Sequence, residues 1–361
     1  MNILMFTRCM GAGGTEKVIL QLCEALNMSG NKVIVCAASG NGVEKLNEKK
    51  IKYYEIPDIQ SKKPTIAINV IKTILKIIND EKIDIVHTHH RMAAFYMCII
   101  KKLKYIKTIN TIHNTFDDKR KLTKFAFDST ENIAVGNSVF KNMTEHYKIS
   151  PKKIRIIYNA IDNSNVKYEN VDIIEQYSKE FFLVGNIGRI NTQKGFECYV
   201  QAADRVKKMG YPIKFFIIGD GVLRKKIEDI VTQRNLSDIV IFTGFQKNIL
   251  NVIDKLDLMV LSSLWEGFPL TPIETFSMGK TIVATDVPGT VEIVQDDING
   301  IIVPINSDKA IAEGIVRLFK DKALKEKYEK NAKKTYNEKF SYPAFCKNYL
   351  TAINEQVRDF A

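Results

Sequence analysis

The chain lacks several features that would each have named a class. It has no CxxC pair and no GxxxxGK[ST] phosphate loop. No apolar run approaches the roughly 18 residues that span a bilayer. Its cysteines, Cys9, Cys23, Cys36, Cys98, Cys198 and Cys346, are scattered. They read as reduced core residues of an intracellular protein, not as a disulfide frame or a thiolate metal site. The opening MNILMF has no charged head, extended apolar segment or cleavage site. The expected location is therefore cytoplasmic, at most peripheral at the inner face of a membrane. Basic residues are not interleaved with a stacking platform of aromatics, so a nucleic-acid partner is not expected.

What is present is enough for two cores. The chain has 361 residues, 45% of them hydrophobic, with charge of both signs. The net charge is +12, and residues 1–180 carry 28 Lys/Arg against 19 Asp/Glu. That basic first half suits a phosphorylated substrate or an anionic surface, or reflects only a lysine-rich composition. Short β-rich runs alternate with longer helical patterns. NILMF, NKVIVCAA, DIVHTH, KTINTIH and NIAVG read as strands, with helical faces such as Val18/Leu22/Leu26 and Ile66/Val70/Ile74/Ile77 between them. A second series follows: FFLVGNIG, KFFIIG, IVIFTG, LDLMVL, KTIVATD and GIIVP. Helices are expected near 195–209, 222–235, 248–254, 270–278, 289–296 and 307–320. The polar stretch 161–180 reads as a linker. The expected fold class is α/β, two Rossmann-like domains facing a deep cleft. Their bounds are 1–165 and 166–340, with a helical segment at 341–361 that crosses back to the first domain.

Candidate chemistry gathers at strand ends. CMGAGGTEK places Gly11, Gly13 and Gly14 between a strand and a helix, out of register for GxGxxG; the turn either leaves room for an anion or lets helix pack on sheet. His87, His89 and His90 follow one strand and His113 the next, without the carboxylate or Cys partners of a strong metal site. GNIGRINTQKGFE sets Arg189 and Lys194 between Gly188 and Gly195, a cationic loop suited to a diphosphate. In IIGDGVLR, Gly219 and Gly221 make a turn and Asp220 caps the next helix. SSLWEGFPLTPIE spaces Glu266 and Glu274 eight positions apart. Gly267 and Pro269 argue against one helix through both, so a loop carrying Glu266 should lead into a helix near Leu270.

These motifs, in this order and over nearly the whole chain, resemble the retaining group 1, or family 4, glycosyltransferases of GT-B fold. The resemblance rests on GAGGTE, TIHN at 111–114, GRINTQKG, IIGDG, EGFPLTPIE, GKTIVATDVPG and VEIVQDDINGIIV. It implies that Arg189 and Lys194 grip the diphosphate of a nucleotide-sugar donor, with a UDP-sugar the expected one. Glu274 would hold the ribose, and Glu266 the transferred sugar, beside the amides of Gly267, Phe268 and Leu270. His113 would lie near the reacting sugar. Gly13 and Gly14, with Glu16 behind, would leave space beside donor and acceptor; Gly219 would belong to the donor site and Glu292 would steady it. No DxD triplet occurs, so the resemblance implies no metal and no required cofactor. The acceptor would be a glycan or polyprenyl-linked saccharide in surface polysaccharide synthesis, such as capsule or exopolysaccharide. The segment 97–107 could rest on an anionic membrane through Ile99, Ile100, Leu103 and Ile106, or be an ordinary helix leading into a strand. A nucleotide-sugar epimerase or hydrolase of related fold and a noncatalytic sugar-binding protein are the alternatives. An epimerase would turn over donor without any acceptor.

Overall fold

A computed structural model describes residues 1–358 apart from 12, 165, 167 and 169, with side chains to residue 355. The chain divides into two compact units, Met1–Asn159 with Tyr342–Ala361, and Ala160–Ser341. The boundary expected at 165 lies on a residue outside the described set; by contacts the division falls at Asn159/Ala160.

The first unit carries a parallel sheet of seven strands. They are β1 (Asn2–Cys9), β2 (Lys32–Ala38), β3 (Lys52–Glu55), β4 (Ile85–Thr88), β5 (Lys107–Ile112), β6 (Glu131–Ala134) and β7 (Ile154–Ile156). Their order is β3-β2-β1-β4-β5-β6-β7, so the chain reverses direction of travel between β1 and β4. Continuous apolar runs such as Ile3–Phe6 and Val33–Ala37 are buried, as strands covered on both faces require. Val18, Leu22 and Leu26 of the helix Gly14–Met28 face the core. Val70, Ile74 and Ile77 of Pro64–Asp80 do the same, with Ile66 packed at the margin. The helix Tyr342–Arg358 belongs here: Tyr342 Oη donates to Gln21 O at 3.0 Å, and Tyr349 lies 3.4 Å from Thr111 Oγ1.

The second unit holds six parallel strands, β8 (Phe182–Ile187), β9 (Ile213–Ile218), β10 (Val240–Gly244), β11 (Leu258–Leu261), β12 (Ile282–Thr285) and β13 (Ile301–Val303). The order β10-β9-β8-β11-β12-β13 repeats the same reversal, now between β8 and β11. The helix Phe196–Lys208 packs on this sheet through Tyr199, Val200, Ala203 and Val206.

Two expectations need correction, and over 97–107 the ordinary helix leading into a strand is the alternative observed. Over 289–296 only Pro288–Val291 is helical. Asn299 Oδ1 accepts from the Gln295 amide at 2.7 Å and Asp297 takes φ 55°, so the chain turns where a helix would continue. Within 161–180 there is a short helix, Asp172–Glu175, with Ile174 in the core. In 97–107, Ile100 and Ile106 are core residues and cannot meet lipid, since they face the sheet from the inner side of Arg91–Leu103 and its exit. Lys101 also turns inward, its Nζ 2.7 Å from Ser129 O, while Leu103 and Tyr105 stay exposed. Among the described residues no helix is long and apolar enough to cross a membrane.

Candidate functional site

In a doubly wound sheet the crevice opens outside the carboxyl ends of the strands that flank the reversal. In the second unit those strands are β8 and β11, and the loops that follow them carry the two most distinctive motifs of the chain. After β8, Gly188–Gly195 runs through a short turn, Thr192–Lys194, capped by Asn191, whose Oδ1 accepts from Lys194 N at 3.3 Å. Gly195 takes φ +60°, and a Cβ there would sit 2.1 Å from Ser262 O. Only glycine lets the two loops touch. Ser262 Oγ completes the join: it receives Asn186 Nδ2 at 2.9 Å and lies 2.9 Å from Lys194 O.

This contact brings Lys194 to Glu266, 72 positions later. Lys194 Nζ lies 2.6 Å from Glu266 Oε1, and only 16% and 7% of the two side chains are exposed. Ser263 Oγ donates to the same oxygen at 2.7 Å. Gln193 Nε2 reaches Oε2 at 3.3 Å and also holds Trp265 O at 3.0 Å. Oε1 is thus saturated, and Oε2, held by one long bond, retains the capacity to accept from a ligand. Sequence reasoning passed over Ser263 and Gln193, although both stand within three residues of a motif charge.

Arg189 is exposed and has no ion-pair partner among the described residues. Gly219 and Gly221 lie behind its segment: Cβ atoms on them would sit 2.0 Å from Gly188 O and 2.4 Å from Ile190 O. The place of Gly219 is therefore that of a support beneath the Gly188–Ile190 backbone. Asp220 accepts from Gly221 N at 2.7 Å and pairs with Arg224 at 3.1 Å; the helix that follows begins only at Arg224. The helix Leu270–Ser277 starts after Pro269 with no side-chain cap. Its first turn offers the amides of Leu270, Thr271 and Ile273, while Pro272 has none. Glu274 is buried one turn in, and Phe268 is buried against Phe340, ring centres 6.0 Å apart. Gly289 presses on the same loop, since its Cβ would lie 2.2 Å from Gly267 O. Glu292, half-buried, follows the shortened helix rather than lying within it.

In the first unit the strands flanking the reversal are β1 and β4. After β1, Gly13 is extended and the helix Gly14–Met28 begins without a side-chain cap, with Glu16 in its first turn. Cβ atoms on Gly40 and Gly42 would lie 2.3 Å from Met10 O and 2.7 Å from Gly11 O, so the loop after β2 braces this turn. After β4 and β5 the histidines converge. His87 Nε2 meets Thr111 Oγ1 at 2.8 Å, and His89 Nδ1 meets His113 Nε2 at 3.1 Å. His90 caps Arg91–Leu103, its Nδ1 accepting from Met92 N at 3.1 Å. Burial pushes His87 and His113 down to about 3, His90 to about 4 and His89 well below its usual value, so all four imidazoles are neutral near pH 7. Among the described residues no set of three or more His, Cys, Asp or Glu is arranged to hold a metal ion.

The chain matches the family described as Glycosyltransferase Family 4 over residues 12–165 and that described as Glycosyl transferases group 1 over residues 169–335. It is similar to an uncharacterized glycosyltransferase of Methanocaldococcus jannaschii, 26% identical over 76% of this chain and 75% of that one. It is similar also to the UDP-Gal:alpha-D-GlcNAc-diphosphoundecaprenol alpha-1,3-galactosyltransferase of Escherichia coli, 25% identical over 86% of each. Among solved structures, HepE of Anabaena in complex with UDP and glucose superposes with a TM-score of 0.86 at 17% identity, covering 98% of this chain and all of that one. That last likeness is one of fold.

Proposed function

This chain belongs to the group 1, family 4 glycosyltransferases, and on that premise we propose that it moves a hexose or N-acetylhexosamine from a UDP-sugar to a glycan or lipid-linked acceptor with retention at the anomeric carbon. The observation that carries the reading is the joined pair of loops at β8 and β11. A shielded cation–carboxylate pair, an arginine with no ion-pair partner among the described residues and a helix start with no side-chain cap stand on these loops. Such a set can neutralise a diphosphate and orient hydroxyls at once. The Escherichia coli relative is named for UDP-galactose and an undecaprenol-linked acceptor, and the Anabaena structure holds UDP and glucose; both fit this choice of substrates.

In this reading Arg189 and Lys194 hold the diphosphate and offset the charge that grows on it as the glycosidic bond breaks. Glu274 binds the ribose. Glu266 accepts from sugar hydroxyls through Oε2, beside the amides of Gly267, Phe268 and Leu270. His113 contacts the transferred sugar, and Gly13 and Gly14 keep the approach open. Transfer is front-face: the acceptor oxygen bonds to the anomeric carbon as the bond to phosphate breaks, and the departing phosphate oxygen takes the acceptor proton. The reaction needs no metal, because cationic side chains supply the charge that an ion would. The product belongs to surface polysaccharide assembly, and the protein works in the cytoplasm.

The test is donor turnover. Purified protein is incubated with UDP-, GDP- and ADP-sugars, with and without EDTA, and free nucleotide is measured by mass spectrometry. Slow release from a UDP-sugar, unchanged by EDTA, is expected. Release abolished by EDTA refutes the metal-free account, and release confined to another nucleotide refutes the choice of donor.

A further inference from the structure

The transfer reading uses His113 but leaves its neighbours without a task. His87, His89 and His113 form a column at the carboxyl ends of β4 and β5, with ring centres 4.2 Å apart for the first pair and 5.4 Å for the second. His87 Nδ1 and His89 Nε2 are buried with no hydrogen-bond partner among the described residues. His113 is half-buried, and with Nε2 engaged its uncommitted nitrogen is Nδ1.

A neutral imidazole has one N–H and one bare nitrogen. The 3.1 Å contact between His89 Nδ1 and His113 Nε2 therefore needs the proton on one side and a lone pair on the other. If His113 Nε2 donates, His89 keeps its own proton on Nε2, an enclosed N–H with nothing to receive it. If His89 Nδ1 donates, the enclosed Nε2 is a bare nitrogen. Orphaned buried N–H groups are the rarer defect in folded proteins, which favours the second arrangement. The same logic has His87 donating from Nε2 to Thr111 Oγ1, which lies 3.4 Å from Tyr349 Oη. His87, so anchored, lies tilted against His89, ring centres 4.2 Å apart, and opposes rotation of its ring.

We propose that His89 is a positioning residue of the transfer site: by donating from Nδ1 to His113 Nε2 it fixes His113 as the Nδ1–H tautomer. The proposal rests on the reading of His113 as a residue at the transferred sugar. His113 then meets its ligand as a hydrogen-bond donor and not as a base. The atom it selects is an oxygen with a free lone pair, such as that of a sugar hydroxyl. It takes no proton from the acceptor, in keeping with a departing phosphate that does.

The chain has 5 histidines, so selective ring 15N labelling gives a spectrum in which each tautomer is read directly. The peaks are assigned by losing one in each single-histidine variant. The wild type should show the His113 proton on Nδ1. His89→Ala, which opens Nε2 of His113 to water, should shift it toward Nε2 and lower kcat by ~10-fold or more while the donor KM changes by less than about twofold. His89→Asn, whose side-chain amide can donate from near the former Nδ1, should restore both the tautomer and most of kcat. A wild-type proton on Nε2 overturns the proposal, as does a tautomer unchanged in His89→Ala. If His89→Ala does not fold, the wild-type spectrum and His89→Asn still decide. Full transfer by His113→Ala would instead sink the site reading, and the tautomer result would stand apart from it.

Discussion

Replacing Lys194 by Met probes the central pair through both stability and ligand binding. Deleting one partner of an enclosed ion pair costs ~3–5 kcal/mol, because the other charge is left desolvated. Here Ser263 Oγ at 2.7 Å and Gln193 Nε2 at 3.3 Å still serve Glu266, so the loss is closer to that of one charged hydrogen bond, ~1.5–3 kcal/mol. For a unit of this size that lowers the unfolding midpoint by roughly 3–12 °C. In Lys194→Met/Glu266→Gln no charge is stranded, so the double variant should recover ~1 kcal/mol or more relative to Lys194→Met alone. Binding of UDP, measured by calorimetry, separates the functional half of the argument. Lys194→Met should weaken UDP by roughly tenfold or more. Glu266→Gln should tighten it several-fold, since Lys194 Nζ is then no longer shared between carboxylate and phosphate. UDP lacks the sugar, so no compensating contact to Glu266 is lost. Weaker UDP binding by Glu266→Gln refutes that competition, and an unchanged midpoint in Lys194→Met refutes the shielded pair itself.

Two further outcomes follow from local geometry. Gly195→Ala places a Cβ 2.1 Å from Ser262 O at φ +60°, and should cost ~2 kcal/mol or more and abolish measurable UDP binding; denaturant unfolding and calorimetry check both. The histidines predict acid sensitivity in the first unit. His87 and His113 are held down to about 3 by burial, whereas in the unfolded chain they titrate near ~6.5, so below that value protons bind the unfolded state in preference. Stability should fall from pH 7 to pH 5 by on the order of 2 kcal/mol for each, and a midpoint flat across that range contradicts a neutral buried cluster.

What could be read from the sequence, and what could not, divides along the number of dimensions a feature needs. The inner strands announce themselves because both faces are buried and the run of apolar residues is unbroken, as in Ile3–Phe6 or Leu258–Leu261. β3 and β7, the outermost strands of the first sheet, were not legible: KYYE and IRI are short and partly exposed. The helix proposed over 289–296 had suitable composition, but the side chain of Asn299 competes for the backbone and wins.

The site shows the same division more sharply. GRINTQKG and EGFPLTPIE stand out as strings, yet nothing in either string joins Lys194 to Glu266. That pairing follows from β8 lying beside β11 in the sheet, which sets their carboxyl-terminal loops side by side, and from a glycine at 195 that lets the backbones meet. His89 and His113 meet for the equivalent reason, because β4 lies beside β5. In both units the motif residues lie at strand ends, on the loops that follow and on the helix starts beyond them, while the strand order chooses their partners. Changes that leave the motifs intact but shift a strand register by one residue should therefore separate Lys194 from Glu266 as surely as mutating either.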